Sequence, residues 1–229
     1  MNISGIVKSS LIDYPGLVSC VLFAPGCNYN CFFCHNRSLI DGTHILISPR
    51  YVEDFLKKRA SLLDGVVISG GEPTLQNDLI PFMGTLKSLG YRVKLDTNGS
   101  RPEVVEEILR LGLCNYFAVD YKAPADRYPE VCGKGSDARQ VIRTIRLLAE
   151  STVPFEVRTT VIPRLGADDL MTMTKEIPAV PRYVFNRYNI PDKYMPEDKE
   201  RVHEKPLSEE EILVIAGRAA AWQPNIIWR

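Results

Sequence analysis

A chain of 229 residues, 45% apolar and 24% charged, can bury roughly 70–75% of the surface its unfolded form exposes, which excludes a disordered or low-complexity chain and supports one core. Lysine plus arginine and aspartate plus glutamate both number 28, so the formal net charge is zero, which argues against a broad polyanion-binding face and hence against nucleic acid as partner. No run of about 18 apolar residues is present to span a membrane, and the N-terminal residues lack the charged-then-apolar layout of a secretion signal. The expectation is a cytoplasmic protein without membrane association, whose thiols stay reduced.

In chain order, the apolar run Leu17–Ala24 predicts a strand, followed by a cysteine-rich loop. Ser48 and Pro49 supply an N-cap and a proline at the first helical position, opening a helix to about Ala60. Val66–Ser69 reads as a buried strand and Asn77–Leu89 as a helix closed by Gly90. A strand over Arg92–Asp96 and a helix over Pro102–Leu111 follow, then a strand over Tyr116–Asp120 and a helix over Ser136–Glu150. The last elements are a strand at Phe155–Ile162, a helix at Asp168–Ile177, a strand at Arg182–Arg187 and a helix at Ser208–Trp222. That last helix opens on the capping box Ser208-Glu-Glu-Glu211.

Six βα units with short connections predict an α/β chain, a partial (β/α)6 TIM-like barrel left open on one side, forming one domain over residues 1–229. An antiparallel sheet would need hairpin turns, and the one Asn-Gly dipeptide, Asn98-Gly99, leads into a helix instead. Trp222 and Trp228 are candidates to cover the open end of such a barrel. Parallel βα units place active sites at the carboxyl ends of their strands. The polar clusters obey that rule: Cys27–Cys34, Gly70-Gly71-Glu72-Pro73, Asp96-Thr97-Asn98-Gly99 and Asp120-Tyr121-Lys122 each end or follow one of the first four predicted strands.

Six cysteines are present, and Cys27, Cys31 and Cys34 fall within eight residues. Random placement would produce a given three-cysteine spacing about 0.004 times in such a chain. Three soft ligands in a tight loop suit an iron–sulfur cluster, or zinc with adjacent His35 as a fourth ligand. Cys20, inside an apolar strand, and Cys114, at a helix end, read as buried structural thiols, while Cys132 reads as a loop thiol without an assigned role. Asp96 and Asp120 end neighbouring predicted strands, where two carboxylates would repel unless a cation or protons intervened.

Cys-x3-Cys-x2-Cys after the first predicted strand and Gly-Gly-Glu-Pro after the second resemble the radical S-adenosylmethionine (SAM) superfamily. The resemblance continues through the Asp-Thr-Asn-Gly and Asp-Tyr-Lys elements. Cys34-His35-Asn36-Arg37 and Asp13-Tyr14-Pro15-Gly16 are similar to the glycyl-radical-enzyme activases, most of all those of anaerobic ribonucleoside-triphosphate reductases. This resemblance implies one [4Fe–4S] cluster on Cys27, Cys31 and Cys34, with SAM chelating the open iron. It implies SAM contacts from Asn36, Gly70, Gly71, Glu72, Asp96, Thr97, Asp120, Lys122 and Arg158, and a monovalent cation near the two aspartates. Some activases carry a histidine near SAM at the sixth strand; Asn189 occupies that region here. The implied activity is reductive cleavage of SAM to a 5′-deoxyadenosyl radical that generates a glycyl radical on a partner enzyme, with flavodoxin or ferredoxin as electron donor. The alternatives are an activase of the pyruvate formate-lyase type, a radical SAM enzyme acting on a small molecule, and a non-catalytic zinc or iron–sulfur protein.

Overall fold

A computed structural model describes residues 1–229. Eight strands make one sheet in chain order: β1 (Gly5–Ser10), β2 (Ser19–Ala24), β3 (Gly65–Gly70), β4 (Arg92–Thr97), β5 (Tyr116–Asp120), β6 (Phe155–Val161), β7 (Tyr183–Arg187) and β8 (Ile226–Trp228). β1 is antiparallel to β2, and the β2–β3, β3–β4, β6–β7 and β7–β8 pairs are parallel. The sheet ends on β1 and β8 without closing. The helices are α1 (Arg37–Ile40), α2 (Pro49–Arg59), α3 (Leu79–Ser88), α4 (Pro102–Arg110), α5 (Tyr128–Cys132), α6 (Ala138–Glu150), α7 (Ala167–Glu176), α8 (Lys199–His203) and α9 (Glu209–Ala219).

All six predicted strands are present as β2–β7, and the six predicted helices as α2, α3, α4, α6, α7 and α9. The α/β class and the open, mostly parallel sheet therefore stand as expected. Two edge strands lie outside the prediction. β1, Gly-Ile-Val-Lys-Ser-Ser, keeps Val7, Lys8 and Ser9 exposed, so its apolar signal is faint. β8 is only three residues long, and it draws Trp228 into the sheet opposite Phe185. Trp222 is 44% exposed and stacks under Lys175, whose Nζ lies 4.5 Å from the ring centre. Neither tryptophan is thus a free cover: one is a strand residue and the other a surface cation–π partner.

The chain divides into two compact units. The first comprises Met1–Asn28, Ser38–Thr97 and Glu103–Ala118. Its sheet strands read as continuous apolar runs because both faces are covered: Leu22, Val66, Val67, Ile68, Val93 and Leu95 are all at most 3% exposed. Met83 and Leu86 of α3 and Val105 and Ile108 of α4 are likewise buried. Tyr14 packs with Val21 and Val67, and its ring lies 6.0 Å from that of Tyr116. The second unit comprises Tyr29–Arg37, Asn98–Pro102 and Val119–Arg229. Its core includes Val157 and Val161 of β6, Val141, Ile145 and Leu148 of α6, and Leu170 and Met173 of α7. The α9 capping box forms as predicted, with the Ser208 amide donating to Glu211 Oε2 at 2.7 Å and the Glu211 amide to Ser208 Oγ at 3.2 Å. Ser48 stands at the N-cap of α2 but makes no side-chain capping bond, so Pro49 alone marks that helix start.

Candidate active site

In the first unit, the turn after β3 is welded to the backbone that leads into the cysteine loop. The Gly71 amide donates to the Ala24 carbonyl at 2.8 Å and the Glu72 amide to the Gly26 carbonyl at 2.7 Å. A Cβ on Gly70 would lie 2.4 Å from the Ala24 oxygen, and one on Gly71 2.0 Å from the Gly26 oxygen. The two glycines are therefore required by close approach of one backbone to another, and Gly70 also takes φ +122°.

Glu72 is fully buried, and its carboxylate organises this turn. Oε1 accepts from the Thr74 amide at 3.0 Å, the Thr74 hydroxyl at 2.5 Å and the Thr97 hydroxyl at 2.8 Å. Glu72 thereby caps the 3₁₀ turn Pro73–Leu75 and ties it to the end of β4. Asp96 is bound by Lys94 Nζ at 2.6 Å and accepts from the Ser69 hydroxyl at 3.2 Å. Sequence reasoning missed Lys94, because a lysine inside a strand reads as solvent-facing. It is instead 2% exposed. The available signal was spacing: residues two apart in a strand share a face, so Lys94 and Asp96 meet.

In the second unit, the same two-residue spacing pairs Asp120 with Lys122 at 3.1 Å, and Arg158 Nε donates to the other Asp120 oxygen at 2.9 Å. Burial opposes ionisation of Asp120, but the Arg158 and Lys122 charges outweigh it and hold the carboxyl well below the usual range. Burial likewise opposes charge on Lys122, and Asp120 together with the Cys31 and Cys132 thiols keeps the ammonium protonated. Each aspartate thus has its own cationic partner within its unit.

Cys31 is buried, and its thiol is lowered from its ordinary value first by a hydrogen bond from Cys132 and then, against burial, by the Lys122 charge. Cys34 is raised, mainly by burial and by the neighbouring Cys31, while the Asn36 amide hydrogen-bonds to it. Lys122 Nζ stands 5.9 Å from the centre of the Phe33 ring, within the same loop. Cys132 itself is 1% exposed and closes helix α5, so it is no loop thiol. Cys20 and Cys114 are buried as expected, and burial pushes each thiol up to about 12. His35 and Asn189 are exposed, and Asn189 lies just beyond the end of β7.

The structure therefore gathers Glu72, Thr97, Gly70, Gly71 and Asp96 in the first unit, and Cys31, Cys34, Asn36, Asp120, Lys122 and Arg158 in the second. Cys27 ends the segment that Gly71 and Glu72 anchor. Three thiols in eight residues, one of them biased toward thiolate by a hydrogen bond and a cation, suit an iron–sulfur centre in donor chemistry.

The Asp120 ion triad carries a pH prediction. A depressed folded-state pKa means that its stabilisation is complete above the unfolded carboxylate value of about 3.9 and fades as pH falls toward the folded value. Asp120→Asn is expected to lower stability by about 2 kcal/mol near neutral pH, less than the 3–5 kcal/mol of a fully buried pair because the Asp120 side chain is 33% exposed. Urea midpoints of wild type and variant should keep a constant gap above pH 5 and converge below about pH 4. A gap unchanged at low pH would refute the triad's role.

Comparisons with known proteins identify the family. The radical SAM superfamily model matches residues 21–177, more than half of the chain. A Methanocaldococcus jannaschii protein, named a candidate glycyl-radical enzyme activating enzyme, is 35% identical over 206 residues, 86% of this chain and 84% of its own length. The AdoMet-dependent heme synthase of Methanosarcina barkeri is 28% identical over 203 residues, of which this chain spans 58% of the length. Among solved structures, Streptococcus suis SuiB bound to S-adenosylmethionine superposes with a TM-score of 0.67 at 14% identity, over 91% of this chain and 51% of SuiB. The chain belongs to the radical SAM superfamily and is an enzyme that uses a [4Fe–4S] cluster and SAM.

Proposed function

We propose that this enzyme is a glycyl-radical-enzyme activase whose partner is an anaerobic ribonucleoside-triphosphate reductase. The observation that carries the activase reading is the likeness to the M. jannaschii protein, which extends over most of both chains. The choice of reductase rests on the local motifs Asp13-Tyr14-Pro15-Gly16 and Cys34-His35-Asn36-Arg37. The open sheet, ending on β1 and β8, accords with a protein loop as substrate.

In this reading Cys27, Cys31 and Cys34 ligate the cluster. The cluster they would hold would supply the one-electron reducing chemistry that cleavage of bound SAM and hydrogen abstraction from the partner's glycine require. The chain's own residues bind, orient and exclude water. Glu72 presents a buried carboxylate to the SAM ammonium from a turn that Gly70 and Gly71 let pack tightly. Asn36, Asp96, Thr97, Asp120, Arg158 and Asn189 complete the SAM contacts. Lys122 faces the thiols with a charge that Asp120 holds in place. The electron comes from a small donor such as flavodoxin or ferredoxin. No helix is long and apolar enough to cross a membrane, which accords with a cytoplasmic setting.

The test is anaerobic reconstitution with iron and sulfide, then mixing with SAM, a reductant and the reductase. The expected result is a glycyl-radical EPR doublet on the reductase, with 5′-deoxyadenosine formed alongside. Deoxyadenosine with a doublet only on a formate-lyase-type enzyme would replace the partner. Deoxyadenosine without a doublet on any candidate would favour a small-molecule substrate, the reading to which the heme synthase likeness points.

A further inference from the structure

Lys94 sits in the middle of β4, where its register partner on β3 is the fully buried Val67. Burying an ammonium there is costly unless a counter-charge offsets it, and an apolar side chain would fill the space without that cost. Lys94 is nevertheless 2% exposed, and Asp96 is the carboxylate paired with it, Nζ to Oδ1 at 2.6 Å. The other Asp96 oxygen accepts from the Ser69 hydroxyl at 3.2 Å. The Lys94 ammonium also lies 5.9 Å from the centre of the Tyr116 ring, whose π face favours a cation. One residue beyond Asp96, Thr97 donates its hydroxyl to Glu72 at 2.8 Å, so the end of β4 is fixed beside the carboxylate. A monovalent cation near this carboxylate is what the resemblance implies, yet a covalently tethered one already stands on it.

We infer that the Lys94 ammonium is the resident cation of Asp96: it takes the place of a bound monovalent ion and holds the carboxylate ionised and aimed for SAM. Lys94 is thus a positioning residue that acts through Asp96. Its effect on SAM rests on the proposed contact between Asp96 and SAM; the pairing itself does not. A tethered cation keeps its effective concentration whatever salt surrounds the protein, so the site is indifferent to which monovalent ion the solution holds.

The experiment compares wild type, Lys94→Met, Asp96→Asn and the double variant, reconstituted anaerobically, in potassium chloride and in choline chloride at equal ionic strength. SAM binding is measured by calorimetry without reductant, so that no cleavage intervenes. Wild-type affinity should be the same in both salts. Lys94→Met, close in shape but uncharged, should bind SAM roughly tenfold more weakly in choline, and potassium or ammonium should restore much of the loss. Urea midpoints of the full chain read the pairing without SAM. Lys94→Met should fall below wild type, and adding Asp96→Asn should recover part of the loss, because no buried carboxylate is then left unpaired. Where Lys94→Met alone does not fold, a folded double variant supports the pairing and an unfolded one overturns it. A potassium requirement in the wild type, a Lys94→Met affinity equal to wild type in choline, or a double variant no more stable than Lys94→Met would each overturn the inference. Wild-type SAM affinity in Asp96→Asn would refute the Asp96 contact, and with it the effect of Lys94 on SAM.

Discussion

Gly71→Ala is expected to lower stability by about 3 kcal/mol and to leave the protein unable to retain iron after reconstitution. The added methyl would sit 2.0 Å from the Gly26 carbonyl oxygen and 2.7 Å from its carbon, both backbone atoms that no rotamer change can clear. Moving them breaks the Glu72–Gly26 hydrogen bond and shifts the backbone that enters Cys27. The damage therefore reaches Cys27, a proposed cluster ligand, although residue 71 bears no side chain. Gly84, in helix α3 with open space around its Cα, is the control. Gly84→Ala should be neutral or stabilising by up to about 1 kcal/mol, since alanine is the better helix former. Urea midpoints and iron per chain measure both effects. A Gly71→Ala protein that matches wild type in both would show that the turn can yield.

Cys31→Ala is expected to abolish the cluster and all SAM cleavage. Cys31 is the buried member of the triplet and the one whose thiolate is favoured by both a hydrogen bond and a cation. Its loss removes a proposed ligand and leaves Lys122 and Cys132 without their shared counterpart. Cys20→Ala and Cys114→Ala should keep iron at the wild-type level, because both thiols are buried and pushed up by burial rather than poised as thiolates. The readouts are iron content, the cluster's visible absorbance and 5′-deoxyadenosine formed under reducing anaerobic conditions. Cleavage retained in Cys31→Ala would remove the basis for the ligand assignment.

The six βα units were legible because their strands are buried on both faces and their helices carry punctuation at the ends, such as Pro49, Gly90, Gly112 and Ser208 with Glu211. Edge strands escape that logic. β1 covers the sheet with one partner only and keeps polar side chains outward, while β8 is too short to hold a period. At the site, residues legible by motif were found, but their supports were not. Lys94 was hidden because charge in a strand normally signals solvent, and Cys132 because only the tertiary path brings it to a loop about a hundred positions earlier. The reason for the paired glycines also changed. The resemblance implied SAM contacts for them, and the close backbone approach to Ala24 and Gly26 by itself already demands glycine at both positions.

Strand order equal to chain order has a consequence for how the molecule is made. Each strand pairs with the one synthesised immediately before it, so the sheet can grow outward from β1 without waiting for distant segments. The Asn30–Cys132 hydrogen bond is one of the longer-range contacts: it closes a loop of roughly a hundred residues and forms only after β5 and α5 have emerged. Until then the cysteine loop lacks its backbone anchor on the Cys132 side. In the interval between synthesis of Cys34 and of Cys132, the loop is therefore held by local contacts alone.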